Sequence, residues 1–434
     1  MGYIIIIHPS LTITMEDNKD YPIRKGLLLF IPMVLIYACT HFQRTSVPGT
    51  LFNELQKDMG LNAIQVAALG ACFVWIYSIF QLFAGGLADK YSGTRLTLYS
   101  CIPFLIGVFV FPCVHSPILL YASRICIGIG SSAMFLSLIK ETDRFFGRQN
   151  YSFFLGLVYF IGYGGGLIGT MPLSLLSEHF YWRHLMLVAA GVSLLSFLFL
   201  LFERRRVTLP PVKSGFLSFR PMGRAIMNPW YWLSVSAAGF NFTCYSIIQT
   251  VLGKKFLLDY VKMSPAAASS VIFSLTLVCM SGCLFTGSLC RHLGNHRKPF
   301  AIFASFTAFS AILLLILAVH FQWSAWVYVL SYNLSAFSTG FTPIFTMLTQ
   351  EMNSKEELTQ GPAFSNMFHY MSVSIFTLLF GFILEKFPHT LQPDGSTLYA
   401  TKAYLTAFLC LESLAIISLV FTLILPETNG KFRK

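Results

Sequence analysis

The sequence predicts an all-α membrane protein whose twelve transmembrane helices form two six-helix bundles. Three observations lead there: an apolar composition, twelve runs of about 20 apolar residues each, and one long basic break that divides the runs six and six. Of 434 residues, 55% are hydrophobic and 11% charged, against roughly a quarter charged in a soluble domain. With 43 Phe and a mean hydropathy of +0.66, a water-soluble fold would expose more apolar surface than solubility allows. In hydrocarbon only helices and closed barrels satisfy every backbone group, and these continuous runs lack the alternation of barrel strands.

The runs in order are Leu27–Val47, Ile64–Ala88, Leu96–Cys113, Ile118–Ile139, Phe153–Leu176 and Leu185–Phe202, then Trp230–Leu252, Ala266–Cys290, Phe300–Val319, Ala325–Leu348, Ala363–Leu384 and Ala403–Leu425. Between the sixth and seventh lies the break, with Arg204, Arg205, Arg206, Lys213, Arg220 and Arg224. The expected organisation is therefore an N-terminal segment 1–24, a first bundle 25–203, a basic linker 204–228, a second bundle 229–426 and a tail 427–434. The apolar stretch Tyr3–Ile7 is too short to span and lacks a cleavage site. Met1 and Met15 are both candidate starts.

A net charge of +12 would point to nucleic acid in a soluble chain, but here topology accounts for it and no nucleic-acid partner is expected. With both termini on one side, that side collects 21 Lys and Arg and the other seven. This bias orients both termini to the cytoplasm of a plasma or inner membrane. The ten Cys sit mostly singly in apolar runs with no zinc spacing, so they read as small buried hydrophobes. No Gly-x-x-x-x-Gly-Lys-Ser/Thr loop occurs, which removes ATP-driven pumping, and no cofactor is expected. A membrane enzyme would need opposed intramembrane carboxylates or a His/Asp metal cluster, and neither pattern is present.

The halves echo each other. Gly85-x-Leu87-x-Asp89 after span 2 matches Gly287-x-Leu289-x-Arg291 after span 8, and Leu120, Gly130 and Glu141 match Leu330, Gly340 and Glu351 at an offset of 210. A duplicated bundle is the usual frame for alternating access. The run Gly85-Gly86-Leu87-Ala88-Asp89-Lys90-Tyr91-Ser92-Gly93-Thr94-Arg95 resembles the loop signature Gly-x-Leu-Ala-Asp-Arg-x-Gly-Arg-Arg of the major facilitator superfamily, over essentially the whole chain after residue 25. The resemblance implies the fold of that family and a latch made from Gly85, Asp89, Arg95, Glu141, Arg144 and Arg291, with Arg144 as local partner of Asp89. Arg124-x-x-x-Gly128-x-Gly130 is similar to a second family motif whose Arg faces the interior. On its own chemistry, Arg124 either lines a wet cavity or snorkels. The glycines of Gly162–Gly169 resemble the family's antiporter helix without its Gly-Pro pair, and serve equally for tight helix packing. Pro426-Glu427-Thr428-Asn429-Gly430 resembles the closing tag of sugar porters.

A carrier of this class binds its solute near the bilayer midplane. Span 1 offers Tyr37, His41 and Arg44, of which His41 and Arg44, three apart, lie on one helical face and can converge. Organophosphate carriers resemble this chain in a single span-1 arginine, and an Arg fork matches carboxylate or phosphate oxygens. Span 7 carries no second mid-span arginine, so a carboxylate or zwitterion fits better than a phosphate ester. Arg124, Tyr163, Asn241, Gln249, Asn333 and Tyr370 complete the expected solute-binding set. A proton is the candidate co-transported ion. Glu412 is the one acidic residue in mid-span, and His41 and His369 are the other titratable candidates. The expected partners are a small solute, that proton and membrane lipids, with the chain acting as a monomer. A drug or siderophore exporter and a transport-inactive sensor are the alternatives on the same fold.

Overall fold

In the computed structural model each of the twelve expected runs is helical. The structure describes residues 3–6, 12–15, 23–61, 63–177, 179–207, 209, 211–212, 220–354, 360–391 and 397–432. They fall into two compact units, Met1–Arg224 with Glu356–Phe364, and Ala225–Lys355 with Ser365–Lys434.

The first unit contains a two-stranded antiparallel hairpin, β1 (Tyr3–Ile6) with β2 (Thr12–Met15). Its helices are α1 (Ile23–Thr45), α2 (Phe52–Met59), α3 (Ala63–Tyr91), α4 (Gly93–Cys113), α5 (Pro117–Ser132), α6 (Met134–Ile168), α7 (Met171–Ser177) and α8 (Trp182–Arg204). A short helix, α9 (Arg220–Met227), lies across the division of the units. α1 ends in a π turn at Ser46–Thr50, where Val47 leaves helical geometry next to Pro48. α6 is interrupted at Gly147, whose φ of 66° suits glycine, and there span 4 gives way to span 5.

The second unit contains α10 (Pro229–Ile247) with a π turn at Ile248–Leu252, α11 (Gly253–Asp259), α12 (Pro265–His292) and α13 (Lys298–His320). α14 (Ala325–Thr339), α15 (Thr342–Glu351), α16 (Gln360–Lys386) and α17 (Thr401–Ile424) follow, with a hairpin of β3 (His389–Leu391) and β4 (Thr397–Tyr399) before the last. Starts carry the expected signals: Asn228 and Ser264 cap α10 and α12, each followed by a proline at the first helical position.

Ten helices among the described residues are long and apolar enough to cross a membrane. The two remaining expected spans are polar or broken. α10 carries Ser234, Ser236, Asn241, Thr243 and Ser246, and span 10 is split into α14 and α15. Pro343 explains the split, since it brings no N–H for the ladder and crowds the carbonyl four residues back. The Thr339 carbonyl that Pro343 leaves without an N–H accepts Thr342 Oγ1 at 2.6 Å, and Thr286 Oγ1 of a neighbouring helix donates to the Gly340 carbonyl at 2.9 Å, so hydroxyls satisfy the break.

The core of the first unit is the seam of α1 on α6. A Cβ placed at Gly165 would sit 2.1 Å from the Ala38 carbonyl oxygen, and one at Gly162 would sit 2.5 Å from the Tyr37 ring. The glycine run of span 5 therefore serves close helix approach, and it fixes where the polar face of α1 lies.

Candidate functional site

That face carries Tyr37, His41 and Arg44, one above another along α1. Arg44 Nη2 lies 3.2 Å from His41 Nδ1. A guanidinium only donates, so Nδ1 is the acceptor and the ring proton sits on Nε2. Tyr37 presents its edge or face to the His41 ring at 4.6 Å between centroids, and Tyr163 of α6 does so at 5.6 Å. Phe135 stacks on Tyr37 at 5.8 Å and Tyr159 on Tyr163 at 6.1 Å. The result is a buried aromatic wall with an imidazole in it and a half-buried guanidinium at its end. Such a group can take an anionic head at Arg44 and an apolar or hydroxylated body along the rings.

The structure gives Arg124 neither of the two expected settings. It is fully buried, donating to the carbonyls of Gln43 at 3.1 Å, Val47 at 3.1 Å and Leu69 at 3.4 Å, with Phe73 facing it at 4.7 Å. The physical reason lies in α1. Because Val47 departs from the helix, the last carbonyls of α1 lose their usual N–H partners, and a cation at a helix C-terminus replaces them. Arg124 thus grips the backbone on both sides of Arg44.

In the second unit the expected residues tie helices together rather than converge. Asn241 of α10 donates to Ser338 of α14 at 2.8 Å, and Gln249 donates to Thr276 of α12 at 2.8 Å. Asn333 of α14 accepts from Ser274 of α12 at 3.3 Å and donates to the Val329 carbonyl at 2.9 Å. Tyr370 meets Phe242 edge-on at 5.7 Å. Gln249, Asn333 and Tyr370 are half-buried, whereas Asn241 is buried.

The part of the expected latch that lies among the described residues centres on Glu141. Glu141 is fully buried; Oε1 accepts the Thr94 N–H at 2.9 Å, capping α4, and Oε2 accepts from Arg144 at 3.2 Å. Arg144 therefore pairs with Glu141. The Asp89 side chain lies outside the described residues. Gly85 is buried on α3, Arg95 is half-buried in the first turn of α4, and Lys140 Nζ donates to the Ala88 carbonyl. In the second unit Glu351 meets Arg297: Nη2 to Oε1 is 3.3 Å and both side chains are buried. Arg291, in the last turn of α12, is half-buried. Thr428 Oγ1 donates to Glu351 Oε2 at 2.6 Å. Glu427 accepts the backbone N–H groups of Arg297 at 2.8 Å and Lys298 at 3.0 Å at the start of α13. It also accepts those of Thr428 and Asn429. Burial pushes the Glu427 carboxyl up, but these N–H donors outweigh it and hold the group below its ordinary value.

Sequence reasoning missed Arg297 in this cluster, although the tag 426–430 and the Glu141/Glu351 echo were its signal. It also left Gln43 aside. Gln43 and Gln81 are buried, and among the described residues none of their side-chain N and O atoms has a hydrogen-bond partner. Unpaired buried amides mark places where a water or ligand belongs.

Comparison with known proteins gives a consistent result. A family model described as Major Facilitator Superfamily matches residues 33–424. The riboflavin transporter RibZ of Clostridioides difficile (strain 630) is 22% identical over 168 residues, 38% of this chain and 37% of that protein. The probable galactarate/D-glucarate transporter GarP of Escherichia coli (strain K12) is 25% identical over 127 residues, 27% of this chain and 28% of that protein. The chain therefore spans well under half the length of these relatives where they match. Among solved structures, the proton:xylose symporter XylE bound to 6-bromo-6-deoxy-D-glucose superposes with a TM-score of 0.71 at 11% identity, covering 94% of this chain and 98% of that one. A bacterial homologue of the iron transporter ferroportin, outward-facing, gives 0.71 at 13% identity, covering 92% and 98%. At these identities the structures establish the fold.

Proposed function

The chain belongs to the Major Facilitator Superfamily, and from that premise we propose that it moves a small organic anion or zwitterion across the plasma or inner membrane by alternating access. Its family is one of multi-pass membrane transporters of small solutes, not enzymes. The observation that carries the finer reading is the Arg44–His41 pair set against Tyr37 and Tyr163. Arg44 supplies a charge that does not titrate away, and the rings supply contact area at little entropic cost. Arg124 acts as a positioning residue for that site, through the carbonyls of Gln43 and Val47. Asn333, Gln249 and Tyr370, half-buried on the second unit, are the groups proposed to line the route.

The names of GarP and RibZ supply the first solutes to try: hydroxylated dicarboxylates and a flavin. A proton is the proposed coupling ion, in keeping with the symport named for XylE. The loop corners built on Glu141 and Glu351 are proposed to face the cytoplasm with both termini, and the carrier to work as a monomer in lipid.

The test is uptake by the purified chain in proteoliposomes, with labelled glucarate competed by other carboxylates, amino acids, sugars and riboflavin. Arg44→Ala should lower saturable uptake about tenfold to a hundredfold, the worth of one or two charge-assisted hydrogen bonds. Arg44→Lys, which keeps the charge and loses the fork, should fall between. Full uptake in Arg44→Ala, or competition by neutral sugars alone, would remove the anion reading.

A further inference from the structure

The buried face of α17 carries four polar side chains, and three of them are accounted for. Tyr404 donates to Asp259 Oδ2 at 2.7 Å, Ser418 donates to the Ala237 carbonyl at 2.8 Å, and Thr422 donates to the Ser418 carbonyl at 2.7 Å. The fourth is Glu412. It is 7% exposed, and among the described residues neither carboxyl oxygen has a hydrogen-bond partner. It lies 11 residues from Thr401 and 12 from Ile424, about 17 Å from either end of the helix. A glutamate side chain is too short to reach an interface from there.

α17 packs on α10 and α13. From α10, Cys244 donates its S–H to the carbonyl of Leu411 at 3.4 Å, and Tyr245 is the neighbouring titratable group. α13 has no titratable side chain between Lys298 and His320, and α17 itself adds Tyr404, Cys410 and, ten residues or about 15 Å before Glu412 at the helix start, Lys402. No cation therefore stands opposite Glu412 on these elements. An ionised carboxylate in such a place is an uncompensated buried charge, whose cost far exceeds that of an unpaired neutral hydroxyl and carbonyl. The packing shown admits the acid and not its anion.

We propose that Glu412 is a proton-binding site, occupied in the conformation shown, and that release of its proton to water loosens α17 from α10. In the bond that breaks, the carboxyl O–H, the electron pair stays on oxygen and the proton leaves to solvent. The site gives the coupled proton of the transport reading a place to bind. Its test needs no solute, so the two can fail separately.

The experiment is infrared difference spectroscopy of the full chain in lipid, wild type against Glu412→Gln, from acid to alkaline pH. A protonated-carboxyl C=O band present at neutral pH in the wild type and absent from the variant is expected, giving way to carboxylate bands at alkaline pH. Carboxylate bands of Glu412 at neutral pH overturn the proposal. Glu412→Leu provides a second blank should the Gln variant not fold. Thermal unfolding supplies an independent readout. A group neutral in the folded chain and charged in the unfolded one loses stabilising power as pH rises. The wild-type midpoint should therefore fall relative to Glu412→Gln from about pH 4 upward, and level off once the folded carboxyl itself ionises. Parallel profiles in the two proteins overturn the site.

Discussion

The two units solve one local problem in different ways. In the first, a single carboxylate does two jobs: Glu141 caps the start of α4 through the Thr94 N–H and pairs with Arg144. In the second, the residue at the matching position of the repeat, Glu351, pairs with Arg297 and receives the Thr428 hydroxyl. The capping passes to Glu427, which comes from beyond α17. The first corner is closed within adjacent helices, whereas the second depends on the chain's last residues. The Arg of each pair is buried to a different degree: the Arg144 side chain is 23% exposed and that of Arg297 is 4% exposed.

This difference sets the size of what mutation should do. Glu351→Ala strands a buried guanidinium and a buried hydroxyl, a loss of about 3–5 kcal/mol for breaking a buried ion pair. Glu141→Ala removes a cap and leaves Arg144 able to turn to water, about 1–2 kcal/mol. Thermal unfolding of the two variants in one detergent should therefore rank them, Glu351→Ala the lower by several degrees. Equal midpoints would mean that the corners are equivalent after all. Next in size is Glu427→Ala, about 1 kcal/mol as a helix-cap loss. Hydrogen exchange should speed up in the first turn of α13 in that variant and stay unchanged in the first turn of α4. Matching protection in both turns would show that the tail is not the cap.

The fold was legible because a span must be a long apolar run, whatever its partners. The caps at Asn228-Pro229 and Ser264-Pro265 are local signals as well, although the sequence reading did not use them. Much of the site was not, because its partners are remote or are backbone. Arg124 could be placed in a span by sequence, but not on the carbonyls of Gln43 and Val47, which become available only because α1 breaks before Pro48. That His41 and Arg44 share a helix face could be read from the sequence, since three-residue spacing is enough for that. Tyr163 stands beside them through the glycine seam of α6, more than 100 residues away in sequence. The helix-to-helix bonds of Asn241 with Ser338, Gln249 with Thr276 and Asn333 with Ser274 were not legible, because each partner lies on another helix. Arg297 and Glu427 are 130 residues apart; the tag marks Glu427 as worth placing, but its sequence does not name the partner.

The smallest expected effect is in acid, and it again separates the units. The first has its own depressed carboxylate, Asp58 of α2, which accepts from Tyr181 Oη at 2.7 Å and pairs with Arg183 at 2.7 Å. Burial pushes Asp58 up, and the bonds from Tyr181 and Arg183 more than offset it, leaving it below its ordinary value, as Glu427 is. A carboxyl whose folded value is lowered contributes stability that is complete above its unfolded value, near pH 4, and lost as pH falls through the folded one. Both contributions should thus vanish below about pH 4, with the Asp58 share reduced by solvent, since its side chain is 22% exposed. Asp58→Asn should flatten the acid limb slightly and Glu427→Gln more, each starting from a lower midpoint at neutral pH. If the doubly substituted chain loses stability in acid as steeply as the wild type, the acid-sensitive charges lie elsewhere, and the second corner owes its closure to Glu351 alone.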